Sequence, residues 1–258
     1  MLESREDINV LSTGELAGVA AGKKIESCIE KLQKDKKIIR IVFAAAPSQD
    51  AMLDYLSKSK TIKWSNIVAF NMDEYIGLPE GATQSFANYL EENLFSKVSL
   101  KKKYTINPSS AIDEELTRYS KLISVAPIDI VCLGIGENGH IAFNDPPVAD
   151  FNDKHIIKTV NLDEPCRLQQ VHDGCFDTLE DVPKKALTLT IPTLLSGKHL
   201  FCVVLGAKKS EAVKNTFSGS VTTSCPASIL TTHDNCEFFF DEAAFKDASK
   251  IKPKILND

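Results

Sequence analysis

From residue 12 to residue 240 the sequence trades short apolar runs for amphipathic, helix-like segments. Ile38 to Ala46, Asn66 to Asn71, Ile128 to Leu133, Leu187 to Ile191, Leu200 to Leu205 and Cys236 to Phe240 are rich in β-branched and other apolar residues. Each is bounded by turn-forming or charged residues, so each reads as a buried strand. Between them lie helical patterns. Leu16, Val19, Ala20, Ile25, Ile29 and Leu32 recur at roughly helical period behind Ser12-Thr13-Gly14-Glu15, which has capping-box spacing. Ala51 to Ser57, a segment carrying Phe86, Tyr89, Leu90 and Leu94, Ile112 to Val125, Ser210 to Phe217 and a short stretch after Cys225-Pro226 read as helices too. Tyr104 to Ile106 reads as a short strand and Lys154 to Val160 as a half-exposed one, while Cys166 to Phe176 is polar and takes no assignment. Such alternation predicts one α/β domain over the whole chain, with a mostly parallel sheet covered on both faces. Residues 1–10 are expected to be a flexible tail.

Composition narrows the function classes. Net charge is −5 over 258 residues, which offers no basic surface for nucleic acid or an anionic membrane. No apolar run approaches the roughly 20 residues of a membrane helix, and the charged N-terminus is unlike a secretion signal. The seven cysteines are odd in number, widely spaced and without a CxxC, so neither a zinc site nor a disulfide framework is expected. A reduced, cytoplasmic enzyme or binding protein follows.

Chemistry-bearing residues gather where strands end. Ala46-Pro47-Ser48-Gln49-Asp50 joins a strand to a helix, and free N–H groups there suit an anion; from the local sequence alone a plain helix cap by Ser48 is the commoner reading. Asp73 and Glu74 follow another strand directly, and adjacent carboxylates there must be solvated, paired or used. The longest such loop runs from Gly134 to Pro146. Gly134, Gly136 and Gly139 interrupt the strand, and His140 sits inside the loop with Glu137 before it and Asp145 after it. The glycine spacing matches a dinucleotide fingerprint, but Phe143-Asn144-Asp145-Pro146-Pro147 follows instead of a helix, so a nucleotide is not expected. No HxH or HExxH spacing suggests a metal. Arginine is scarce, so Arg167 and Lys209 are the candidate cations for a phosphate; Lys208-Lys209 also reads as a solvated helix start. In an open α/β sheet these loops converge on one crevice.

Taken together, these motifs resemble the glucosamine-6-phosphate deaminase/isomerase family. Phe70 to Pro79 and Gly136 to Pro146 carry the resemblance, with Val182 to Thr188 and Leu205 to Lys209 in order behind them. It implies a three-layer, Rossmann-like α/β domain and a small-molecule phosphosugar substrate, with no metal or organic cofactor. The activity implied is isomerisation with deamination of glucosamine 6-phosphate or galactosamine 6-phosphate. Asp73 is then the base that moves a proton between C1 and C2, and His140 the acid/base that opens the sugar ring. Glu74, Gly136 and Gly139 fall in the substrate-contacting motifs, and Ser48, Gln49 and Lys209 with an arginine would hold the phosphate. Four positions depart from the family pattern. Asn138 replaces an acid two residues before the histidine, and Asp145 replaces a longer glutamate five after it. Asn138 can still hydrogen-bond His140 but carries no charge, which Glu137 is the candidate to supply. Ala46-Pro47-Ser48-Gln49 replaces a Gly-Gly-Thr loop, and the family's arginine falls near His172, with Arg167 the nearest cation. A 6-phosphogluconolactonase-type hydrolase and a non-catalytic phosphosugar sensor are the alternatives. The sequence leaves the oligomeric state open, a homo-oligomer included.

Overall fold

The computed structural model describes residues 4–79, 81–248 and 251–255. The described residues begin with β1 (Ser4–Leu11), so residues 4–10 of the expected flexible tail form a strand, because Ile8 and Leu11 are buried in the core; residues 1–3 of that tail lie outside the described residues. The long helix α1 (Gly14–Asp35) follows, then β2 (Ile39–Phe43), α2 (Asp50–Ser57), β3 (Ile67–Asn71) and β4 (Asp73–Ile76). Next come α3 (Phe86–Leu90), β5 (Lys102–Tyr104), α4 (Ile112–Ser124), β6 (Ile130–Leu133), β7 (Ile157–Asn161) and α5 (Glu164–His172). The last part holds β8 (Lys185–Leu189), α6 (Ile191–Leu195), β9 (His199–Val204), α7 (Ser210–Thr216), β10 (Cys236–Asp241), α8 (Glu242–Phe245) and β11 (Lys252–Ile255).

Eight strands form a sheet in the order β11-β1-β10-β9-β6-β2-β3-β5, and each of these pairings is parallel. Its inner strands are buried on both faces, which is why their sequences read as unbroken apolar runs. Successive side chains enter opposite cores. Val42, Val131, Leu133, Phe238 and Phe240 pack on one face; Ile41, Phe43, Ile130, Cys132 and Phe239 pack on the other. Full burial of each Val, Leu, Ile or Phe among these contributes roughly 1.5–3 kcal/mol. No helix among the described residues is long and apolar enough to cross a membrane.

The main sheet is the mostly parallel one expected, and a second, small sheet is added to it. β4, β8 and β7 make a small antiparallel sheet with β8 in the middle. β4 begins two residues after β3, so the expected loop at Asp73-Glu74 is itself a strand. Two further differences are local. The cap of α1 is Thr13, whose side chain accepts from Leu16 N at 3.2 Å, rather than Ser12. The buried face of α1 is also made of small residues, Ala17, Gly18, Ala21 and Gly22 with Ile25 and Ile29, while Leu16 is exposed. A Cβ on Gly18 would lie 2.6 Å from Ala51 Cβ, and one on Gly22 2.7 Å from Tyr55 Cδ1, so the glycines set how closely α2 packs on α1.

Candidate active site

β2 and β6 are neighbours in the sheet, yet the chain runs outward from β2 through β3 to β5 before returning. At this reversal the loops after the two strands splay apart and leave a crevice at their carboxyl ends. A cleft of about 340 Å³ occupies it. Ala44 to Ser48 line it after β2, Gly134 to Gly136 and His140 after β6, and Met72 and Asp73 after β3. Leu205, Gly206 and Lys209 come from the end of β9, Asp241 from β10, and Gln169, Gln170 and Asp173 from α5 and its end.

Asp73 opens β4 and is buried. Burial, and then the charge of Glu74, push its carboxyl well above the ordinary range, which makes it a stronger base than a solvated aspartate. Its register partner on β8 is Thr188. Thr188 also accepts a hydrogen bond from Phe143 N at 3.1 Å, and Asn144 Nδ2 donates to Leu189 O at 2.9 Å. The middle strand of the small sheet therefore fixes the histidine loop relative to Asp73.

Within that loop, His140 is 7% exposed and its Nδ1 lies 3.0 Å from Asp145 Oδ1. The ring is turned so that the N–H is not aimed squarely at the oxygen, and the contact is chiefly electrostatic. Asp145 is fully buried; burial raises its pKa, but His140, Asn138 and the Asp163 N–H outweigh this and hold it below the ordinary value. Gly136 is required beneath the ring, because a Cβ there would come within 2.2 Å of His140 Cε1. Ala142 takes a left-handed φ of 50°, which folds the loop back so that Ile141 pairs with Asn144. The Cys166 thiol lies in the same buried cluster, its Sγ and the facing atoms of His140 and Asp145 all within 4.8 Å of one another, and burial raises its pKa well above the ordinary value.

Lys209 is the single Lys or Arg lining the cleft among the described residues, and burial lowers its pKa against the opposing charges of Asp173 and Glu137. Ser48 lines the same cleft.

Other residues singled out in the sequence lie elsewhere. Glu74 is not in the cleft: its carboxylate accepts from Tyr75 N, Ser85 Oγ, Phe86 N and Ala87 N at 2.8–3.1 Å and so anchors α3. Burial raises the Glu74 pKa, and these four bonds oppose the rise. Gln49 is fully buried beneath the β2 loop, donating to Ser48 Oγ at 3.0 Å and Val203 O at 3.3 Å. Gly139 packs against the segment at Cys225, where a Cβ would meet Sγ at 2.8 Å. Arg167 donates to Leu179 O and Val182 O, and pins a turn rather than a phosphate. His172 is exposed and pairs with Glu137, Nδ1 to Oε2 at 3.2 Å. Glu137, the candidate for the charge absent at position 138, is thereby engaged by His172. The other arginines are also engaged: Arg40 with Leu122 O and Ile123 O, Arg118 with Glu115, and Arg5 with Asp7.

Gln169, Gln170, Asp173, Asp241 and Asp163 were not singled out. The first three sit in the polar segment that took no assignment, and it is α5. Its start was legible as Asp163-Glu164-Pro165, a cap followed by an acid and a proline; Asp163 accepts from Cys166 N at 2.9 Å.

Known proteins share both sequence and fold with this chain. The family described as glucosamine-6-phosphate isomerases/6-phosphogluconolactonase matches residues 13–238. A glucosamine-6-phosphate deaminase of Streptococcus suis is 33% identical over 223 residues, covering 86% of this chain and 91% of the relative. The Bacillus thuringiensis deaminase is 35% identical over 225 residues, 87% and 82% of the two chains. A solved monomeric glucosamine-6-phosphate deaminase superposes with a TM-score of 0.83 at 28% identity, over 93% of this chain and 99% of that one. Fold and extended sequence identity agree: this chain belongs to the glucosamine-6-phosphate isomerase/6-phosphogluconolactonase family.

Proposed function

We propose that this protein deaminates a hexosamine 6-phosphate, giving a ketohexose 6-phosphate and ammonia. The observation that carries the reading is Asp73: a buried carboxylate whose pKa is raised by burial, lining one cleft with a carboxylate-backed histidine. That pair suits proton transfer at a carbon next to a carbonyl. The deaminase relatives support the same chemistry over most of the chain.

The phosphate sits at Lys209 and Ser48, and its binding energy positions the sugar carbons at Asp73. His140 gives a proton to the ring oxygen and takes the proton of the C1 hydroxyl, and the pyranose opens to the aldehyde. Asp73 removes the C2 proton while His140 returns its proton to O1, forming an enolamine, and Asp73 then delivers its proton to C1. The resulting C2 imine adds water and releases ammonia, leaving the ketone. His140 and Asp73 supply the acid and base of these steps. Asp145 stabilises the imidazolium form that the first step needs. The unpaired thiols of all seven cysteines suit a reducing, cytoplasmic setting.

The test is incubation with glucosamine 6-phosphate and with galactosamine 6-phosphate, following ammonia and ketohexose 6-phosphate together. Stoichiometric release of both products from at least one substrate is expected. Turnover of neither, or acid release from a phosphogluconolactone instead, overturns the proposal.

A further inference from the structure

The residue before the histidine that departs most from expectation, Asn138, has every polar atom engaged. Its Oδ1 accepts from His140 N at 3.0 Å. One Nδ2 hydrogen reaches Asp145 Oδ1 at 3.0 Å; the other faces Asp163, with Oδ1 at 3.2 Å and Oδ2 at 3.3 Å. The carboxamide thus joins two carboxylates. Asp163 is tied to Asp145 a second time, its own N–H donating to Asp145 Oδ2 at 3.3 Å. An aspartate at 138 would bring three acceptors together with no donor between them, so the amide at 138 and the carboxylate at 163 belong to one arrangement.

We propose that Asp163 is a positioning residue for His140: through Asn138 and Asp145 it supplies the negative charge that position 138 lacks. This rests on the reading of His140 as the ring-opening acid. Three observations converge on it. Asp163 is the nearest carboxylate to the Asn138 amide after Asp145. It also caps α5, so the helix that carries Gln169 and Gln170 into the cleft starts from the group that holds the histidine's partner. Finally, Glu137, the alternative charge, is paired with His172. Burial holds the Asp163 pKa above the ordinary value, the Cys166 N–H opposing this and the Asp145 charge adding to it, while the Asn138 amide and the His140 charge favour the ionised form. The other groups facing His140 are Asp145 and Cys166 in the buried cluster, Asp73 and Lys209 across the cleft lining, and Cys225 behind Gly139.

The experiment is an NMR titration of the His140 imidazole in the free protein, native against Asp163→Asn. Asparagine also caps helices, so α5 keeps its start. The titration midpoint is expected to fall on loss of a neighbouring negative charge. The alkaline limb of kcat/KM for the hexosamine phosphate should move down with it. A double variant, Asn138→Asp with Asp163→Asn, moves the charge without removing it and should restore the native midpoint; it serves equally if the single variant does not fold. A folded Asp163→Asn protein with an unmoved His140 midpoint overturns the proposal, as does a double variant titrating well below native. The titration needs no substrate, so its outcome is separate from whether the protein deaminates a hexosamine phosphate.

Discussion

At the scale of single residues, Asp73 is where stability and activity conflict. Its pKa is raised in the folded state by burial and by Glu74. A carboxyl whose folded pKa exceeds its unfolded value favours the folded protein only while protonated. As pH rises from below the unfolded value, near 3.9, through the folded value, ionisation progressively destabilises the fold. Asp73→Asn should therefore raise the Tm at neutral pH, and the gain over native should shrink as the pH is lowered. Thermal unfolding from pH 4 to pH 8 measures this; a variant less stable than native at neutral pH contradicts it. The same raised basicity was not legible in the sequence. Adjacent carboxylates at a strand end marked Asp73 and Glu74 equally, and nothing local distinguished the one facing the cleft from the one bonded to four donors of its neighbourhood. That difference arises because Asp73 opens β4 and alternation along a strand sends Glu74 to the other side.

At the scale of elements, two contacts hold the site's supports in place. Glu74 bonds the first backbone N–H groups of α3, which lies beside the cleft through Phe86. Glu74→Gln puts an NH2 against those donors and should cost about 1–3 kcal/mol, read as a lower denaturation midpoint with an unchanged slope. Gly18 sits where α1 meets α2, and a Cβ would lie 2.6 Å from Ala51 Cβ and 3.1 Å from Met52 N. Gly18→Ala gains roughly 1 kcal/mol in helix propensity. Overpacking should offset this by about 1–3 kcal/mol, for a net loss of stability. An equally stable or more stable variant in urea would show that α2 can yield. Periodicity found both helices and, in α1, Ile25 and Ile29 of the buried face, but it missed Ala17, Gly18, Ala21 and Gly22 and took in the exposed Leu16, because small residues carry little hydrophobic signal while making the closest contacts. The polar α5 escaped for a related reason. Its inward residues, Gln169 and Gln170, face a cleft rather than an apolar core.

For the molecule as a whole, the parallel sheet was legible because both faces of its inner strands are buried, which leaves continuous apolar runs. The strand order was not, since apolar runs do not encode which neighbour a strand takes. Nor was the small antiparallel sheet, whose β8 reads as one more apolar run but instead fixes Asp73 to the loop of His140 through Thr188. The cleft follows from the topology: chain reversal between β2 and β6 brings loops distant in sequence to one place, and residues from five strand ends meet there. On this account Asp73 is the group that moves the proton from C2 to C1, and Lys209 with Ser48 holds the substrate independently of it. The direct measurement is turnover of Asp73→Asn on saturating hexosamine 6-phosphate, with substrate binding followed by thermal shift. The account predicts retained binding and a loss of kcat of at least about 100-fold, the usual contribution of a general base. A bound, folded variant with kcat within tenfold of native contradicts it.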